Sequence, residues 1–84
     1  MVWKIEWYPK AFKALKTLPF HIQERIIKKV RELIDNPFRF LGHFSGRLYK
    51  LRIGDYRALV DVDFGNKVIT IQILGHRGRI YKRI

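Results

Sequence analysis

The 84 residues contain no cysteine, so neither a disulfide staple nor a thiolate metal site is available, and the cytoplasm is the expected compartment. Acidic residues are scarce, with seven Asp and Glu against eighteen Lys and Arg. The basic stretches carry no paired carboxylates, which argues against glycosidase or two-metal chemistry. Long apolar runs are missing as well. None approaches the ~20 residues of a membrane span, and Met1–Tyr8 places Lys4 and Glu6 where a secretory leader keeps an unbroken apolar stretch. There is no glycine-rich phosphate loop, and His21, His43 and His76 are too scattered to suggest a metal, so no cofactor is expected. Asp61-Val62-Asp63-Phe64-Gly65-Asn66 superficially resembles a calcium loop. It fails the pattern, with Gly65 at a ligand position, Asn66 where the glycine belongs and Gln72 where the bidentate Glu belongs. No repeat, linker or low-complexity segment breaks the chain, and a single domain over residues 1–84 is predicted.

What is abundant is positive charge. A formal net charge of +11 on so small a body predicts affinity for polyanions. A charge-rich, heat-adapted surface would raise Lys and Glu together in ion-pair networks, and here the bases are far in excess. Nucleic acid is therefore the leading partner and an acidic protein the second. A membrane surface ranks last, because no helix is both strongly apolar on one side and unusually basic on the other. Apolar residues make up 48% of the chain, enough for one small core.

The chain is organised around Leu48–Val60, two alternating runs flanking Gly54-Asp55, which reads as a β-hairpin with a type II′ turn. Counting outward, Ile53 faces Tyr56, Arg52 faces Arg57, Leu51 faces Ala58, Lys50 faces Leu59 and Tyr49 faces Val60. Tyr49, Leu51, Ile53, Tyr56, Ala58 and Val60 then share one face, and Lys50, Arg52 and Arg57 share the other. Like charges directly opposite are destabilising, so this second face is expected to meet something anionic. Before the hairpin, Val2–Tyr8 alternates as a strand with Trp3, Ile5 and Trp7 inward. Pro9 opens a helix with Ala11, Ala14, Leu15 and Leu18 as its stripe and Lys10, Lys13 and Lys16 outside it. Pro19 ends that helix and opens a second one, where Ile22, Ile26, Val30 and Leu33 recur at helical spacing. Glu24–Lys28 and Lys28–Glu32 are the expected i,i+4 pairs, and Asp35-Asn36-Pro37 is the stop. Phe38–Arg47 lacks a period and reads as a loop. After the hairpin, Asp63–Asn66 turns the chain into a last strand, Lys67–Leu74. Periodicity puts Ile69, Ile71 and Ile73 on the core face, and Leu74 and His76 on the basic face. The expected fold is α+β: an N-terminal strand, a helical hairpin, then a three-stranded antiparallel meander, with the helices packed on one face of the sheet.

Lys50, Arg52, Arg57, His76, Arg77 and Tyr81 are thus expected to converge as the catalytic set, with Arg47, Arg79 and Lys82 as RNA-binding residues. Metal-free RNA cleavage needs little more. A base removes the 2′-hydroxyl proton, cations stabilise charge on the phosphoryl oxygens, and an acid protonates the leaving 5′-oxygen. Arginine suits the charge and not the base role. Lysine among cations can be a base, as Lys50 is beside Arg52 and Arg57, and His76 suits either proton role. Tyr81 could stack on a nucleobase.

Leu48–Arg57 followed by Gly75-His76-Arg77-Gly78-Arg79-Ile80-Tyr81 resembles the RelE branch of the RelE/ParE toxin superfamily, and the element order matches over essentially the whole chain. The resemblance implies a type II toxin: a metal-independent, ribosome-dependent endoribonuclease that cuts mRNA in the decoding site. It implies four partners. A cognate acidic, RelB-like antitoxin covers the basic surface, mRNA and ribosome supply the substrate, and operator DNA is reached indirectly through the antitoxin. Lys50, Arg57, Arg77 and Tyr81 match the family's functional positions. Arg52 stands where some members have lysine, which leaves Lys50 or His76 as base, and Ser45 stands where members often carry a basic residue. A ParE-like DNA gyrase poison and a catalytically inactive basic nucleic-acid-binding module are the alternatives on the same fold.

Overall fold

The computed structural model describes residues 2–80. Alternation builds the first strand, β1 (Lys4–Trp7), and Pro9 ends it. Tyr8 N–H still donates to Ile71 O (2.9 Å), but Pro9 has no N–H to continue the ladder and its fixed φ suits the first turn of α1 (Pro9–Lys16). After Pro19, α2 (Phe20–Glu32) follows. Its described ion pair is Lys29–Glu32 (3.3 Å, three residues apart), in place of the pairs expected through Lys28.

Between α2 and the hairpin the expectation of a loop is corrected. A short 3₁₀ turn (Pro37–Arg39) leads into β2 (Leu41–Ser45), which pairs antiparallel with β3 (Leu48–Ile53). Gly42 and a register shift between His43 and Ser45 erase the alternation by which a strand is recognised. β4 (Tyr56–Asp63) and β5 (Val68–His76) complete the sheet. Its order is β1-β5-β4-β3-β2, with β1 parallel to β5 and the other pairs antiparallel. The α+β architecture stands as expected, with a meander of four strands instead of three. Among the described residues no helix is long and apolar enough to cross a membrane.

The β3–β4 hairpin has the register counted from the sequence, Ile53 opposite Tyr56 through Tyr49 opposite Val60. Gly54 has φ +56° and Asp55 is not left-handed, the pattern of a II′ rather than a I′ turn. A Cβ at Gly54 would also stand 3.4 Å from the Arg25 guanidinium, which is flexible enough to yield. Gly54→Ala is therefore expected to destabilise the protein by ~1–2 kcal/mol through the backbone, read as a lower denaturation midpoint at unchanged m.

The helices cover one sheet face. Ala11 and Leu15 of α1 and Ile26, Val30 and Leu33 beside them pack on Leu51, Ile53, Ala58, Val60, Val62, Ile69, Ile71 and Leu74. Leu74 enters that core because β5 carries a bulge. Val60 pairs with Ile71 but Leu59 pairs with Ile73, so Gln72 is an extra residue and the alternation reverses beyond it. The expected placement of Ile73 on the core face and of Leu74 and His76 on the basic face is thereby overturned. Ile73 lies opposite Leu59, on the outer face, while Leu74 lies opposite Ala58 and His76 opposite Tyr56, on the helix-covered face. Leu59 and Ile80 are buried apart from the main core. The Arg79 N–H to His76 O bond (2.9 Å) turns the chain back, and Ile80 reaches Gly75, where a Cβ would meet its own at 3.9 Å.

At the far end of the sheet Trp3, Phe38, Tyr49 and Phe64 form an aromatic cluster, with Phe38 and Phe64 stacked at 5.4 Å. The adjoining β4–β5 turn is held by Asp63, which accepts from Asn66 Nδ2 (2.9 Å) and from the Asn66 backbone N–H (3.1 Å). The side-chain bond first, and the backbone bond second, hold the Asp63 carboxyl below its ordinary value of 3.8. A depressed folded-state pKa means that the turn's contribution is fully present above the ordinary value and is lost as pH falls through the lowered one. Asn66→Ala should move the Asp63 carboxyl titration upward toward 3.8, observed by NMR.

Candidate functional site

The outer sheet face is built from β3 and β4 residues that alternate away from the core. Lys50 and Arg52 are exposed on β3, and Arg57 is half-buried on β4 directly opposite Arg52. Lys50 has Leu59 across one ladder and Gly42 across the other. A Cβ at Gly42 would meet nothing within 4 Å, so the space beside Lys50 is open.

Arg57 is anchored. Its Nη1 donates to Gly54 O (2.7 Å) and Tyr56 O (2.8 Å), the two carbonyls that frame the hairpin turn. Neither partner is a carboxylate, so the guanidinium keeps its charge uncompensated while one nitrogen is fixed. Arg77 joins this corner through its backbone, whose N–H donates to Asp55 O (2.9 Å). Arg25 reaches the same turn from α2, against Gly54. Sequence reasoning missed Arg25, since a basic residue next to the apolar position Ile26 gives no sign that its side chain reaches the turn.

The other candidates fall elsewhere. His76 stacks edge-on against Tyr56 (5.7 Å between rings), and Tyr56 packs on the core. His76 is thus separated by the sheet from Lys50, Arg52 and Arg57. Arg47 lies toward the opposite end and is committed to acids, its Nη2 2.7 Å from Asp61 Oδ2 and 4.0 Å from Asp63 Oδ2. Arg79 is exposed and lines a hollow with His76 and Tyr56. Tyr81 and Lys82 lie outside the described residues. Among the described residues no group of three or more His, Cys, Asp or Glu could hold a metal ion.

The arrangement can therefore bind a phosphodiester. Arg57, Arg52 and Lys50 offer charge on one face, Arg57 is pre-oriented, and no acid lies across the hairpin from them.

A family model described as the ParE toxin of the type II toxin-antitoxin system, parDE, matches residues 5–81. A chain of the archaeal RelE–RelB complex from Pyrococcus horikoshii OT3 is 31% identical, with a TM-score of 0.79 over 94% of this chain and 99% of that one. The toxin–antitoxin complex RelBE2 from Mycobacterium tuberculosis matches at 21% identity and TM-score 0.83, over 92% of this chain and 100% of that one. The isolated E. coli RelE toxin matches at 20% identity and TM-score 0.76, over 96% and 93%. These last two are likenesses of fold. No curated protein matches the sequence.

Proposed function

From the premise that this chain belongs to the RelE/ParE superfamily, as a toxin of a type II toxin–antitoxin system, we propose that it is an endoribonuclease that cleaves messenger RNA in the ribosomal decoding site without a metal. The observation that carries the reading is the cationic end of the outer face, where Lys50, Arg52 and Arg57 pair with no acid across the hairpin, Asp61 opposite Leu48 is taken by Arg47, and Arg57 is braced by the carbonyls of Gly54 and Tyr56. A gain in phosphate charge at the transition state is met there by groups already in place.

In the proposed reaction the 2′-oxygen attacks the adjacent phosphorus and the bond from phosphorus to the 5′-oxygen breaks. The products are a 2′,3′-cyclic phosphate and a 5′-hydroxyl. The 2′-proton goes to Lys50, which stands on the open side of the face. Arg57 and Arg52 hold the non-bridging oxygens. Arg77, at the turn, donates to the departing 5′-oxygen, which takes its proton from water. His76 has no part in this step, because the bulge at Gln72 turns it to the other face. The ribosome presents the message, an acidic antitoxin of RelB type neutralises the toxin, and operator DNA is reached through that antitoxin.

The test is translation in a purified system with primer extension along the message. Ribosome-dependent breaks are expected, ending in cyclic phosphate. The match to the ParE family model favours one second reading, a poison of DNA gyrase. Intact message together with gyrase-linked DNA breaks would establish that reading instead.

A further inference from the structure

The positive charge of the outer face is confined to one end. Beyond the row of Leu59 and Ile73 that face turns acidic, with Glu6 and Asp61 on either side of Thr70 and Asp63 opposite Val68, and Arg47 is taken up by the two aspartates. A phosphate chain held by Lys50, Arg52 and Arg57 is repelled from the acidic end. The cations lead the other way, around the Gly54-Asp55 turn, where Arg77 and Arg25 both meet the hairpin.

Arg25 is delivered to the turn by its neighbour. Ile26 is fully buried in the core cluster that also holds Ile53, which fixes the rotation of α2. The Arg25 guanidinium then lies over Gly54, where a Cβ would stand 3.4 Å from its Nη1 and 3.9 Å from its Cζ. Arg57 holds the same residue from the outer face, through Gly54 O. Standard bond lengths keep the two Nη1 atoms within about 10 Å of each other, a gap that neighbouring phosphates of one strand can bridge. Arg25 is exposed, and among the described residues its side chain has no ion pair or hydrogen bond. One helical turn away stand His21, Ile22, Lys28 and Lys29, none of them acidic. An unpaired cation set beside Lys28, Lys29 and Arg57 does not stabilise the fold. It does suit a bound anion.

We infer that Arg25 is a further substrate-binding residue, which grips the message at the phosphate next to the scissile one. The strand crosses the turn from the outer face, with the scissile phosphate on Arg57 and its neighbour on Arg25. The contact is to a non-reacting phosphate, so it positions the message and moves no proton. The inference rests on the endoribonuclease reading and adds a direction to it: the message leaves the outer face over the Gly54-Asp55 turn, toward α2.

The experiment is single-turnover cleavage of a short synthetic message on purified ribosomes, over a series of toxin concentrations. Arg25→Gln is expected to raise the toxin concentration at half-maximal rate about tenfold, the worth of one charge-assisted phosphate contact, and to leave the limiting rate within about twofold. Arg25→Lys should restore most of that loss, and the melting temperature of Arg25→Gln should stay near that of wild type. Two further messages carry a neutral methylphosphonate in place of the phosphate immediately 5′ or 3′ of the cut. One of the two should weaken the wild-type chain about tenfold and leave Arg25→Gln unaffected. Cleavage by Arg25→Gln indistinguishable from wild type would overturn the inference and leave the endoribonuclease reading standing. So would equal losses in the two chains at both neutral positions, or a destabilised Arg25→Gln that lysine does not rescue, which would make Arg25 a brace for the turn. Absence of any ribosome-dependent cleavage by the wild-type chain would overturn both.

Discussion

Arg57→Ala is expected to slow message cleavage by about 10²–10³-fold in single-turnover translation assays, the loss typical of removing one preorganised donor from a developing oxyanion. Three features single out this arginine. It is half-buried while Lys50 and Arg52 are exposed, so less reorganisation precedes its contact with phosphate. Its Nη1 is held at 2.7 and 2.8 Å by Gly54 O and Tyr56 O, which fixes the direction of the remaining N–H groups. Among the described residues it also has no carboxylate to exchange for the substrate. Arg57→Lys should recover only part of the rate, since an ammonium cannot brace on two carbonyls and still present a planar fork. The same substitution removes two turn contacts, so folding is followed alongside by thermal denaturation. Unimpaired cleavage in a folded Arg57→Ala variant would remove this face from the mechanism.

Leu51→Ala should cost ~3 kcal/mol or more, the usual loss for a leucine buried among other side chains. In a domain of this size that corresponds to a melting temperature lowered by roughly 12–24 °C. Leu51 is fully buried, between Ala58 on β4 and Leu41 on β2, and sits in the cluster that the helices cover. Neither neighbour across the ladder can grow to fill the space. Phe20→Ser, by contrast, alters a side chain that is 73% exposed and should move stability by no more than ~0.5 kcal/mol. Equal effects from the two substitutions would contradict the packing described for the core.

Much of this fold is written locally. The hairpin register follows from Gly54-Asp55 and strict alternation, and both helices are bounded by prolines and carry stripes that the core uses. β2 is illegible because its defining property is its partner. Gly42 and the shift after His43 break the pattern, and only β3 beside it makes the segment a strand. The bulge at Gln72 is hidden for a related reason. In Ile71-Gln72-Ile73-Leu74 either phase of the alternation buries an apolar residue, and the ladder to β4 decides between them.

That single ambiguity divides the candidate site. Lys50, Arg52 and Arg57 lie before the bulge in the chain and are placed as expected. His76 lies after it and is carried to the other face. Arg77 meets the hairpin turn through its backbone, an outcome that side-chain periodicity cannot express. In the sequence Arg47 is marked only by its charge, and its binding to Asp61 depends on a pairing between strands. Arg25 joins the turn only because α2 packs across the sheet.

The parallel pairing of β1 with β5 has a consequence for the timing of synthesis. Among the described strands β1 is the first to be made and β5 the last, so the sheet cannot close until β5 has emerged. Non-local pairings of this kind form late, because the connecting chain must be ordered before they contribute. Arg77 takes its place at the hairpin turn only when the end of β5 is laid down. A protein proposed to attack translating ribosomes therefore completes its own site only once β5 has been made.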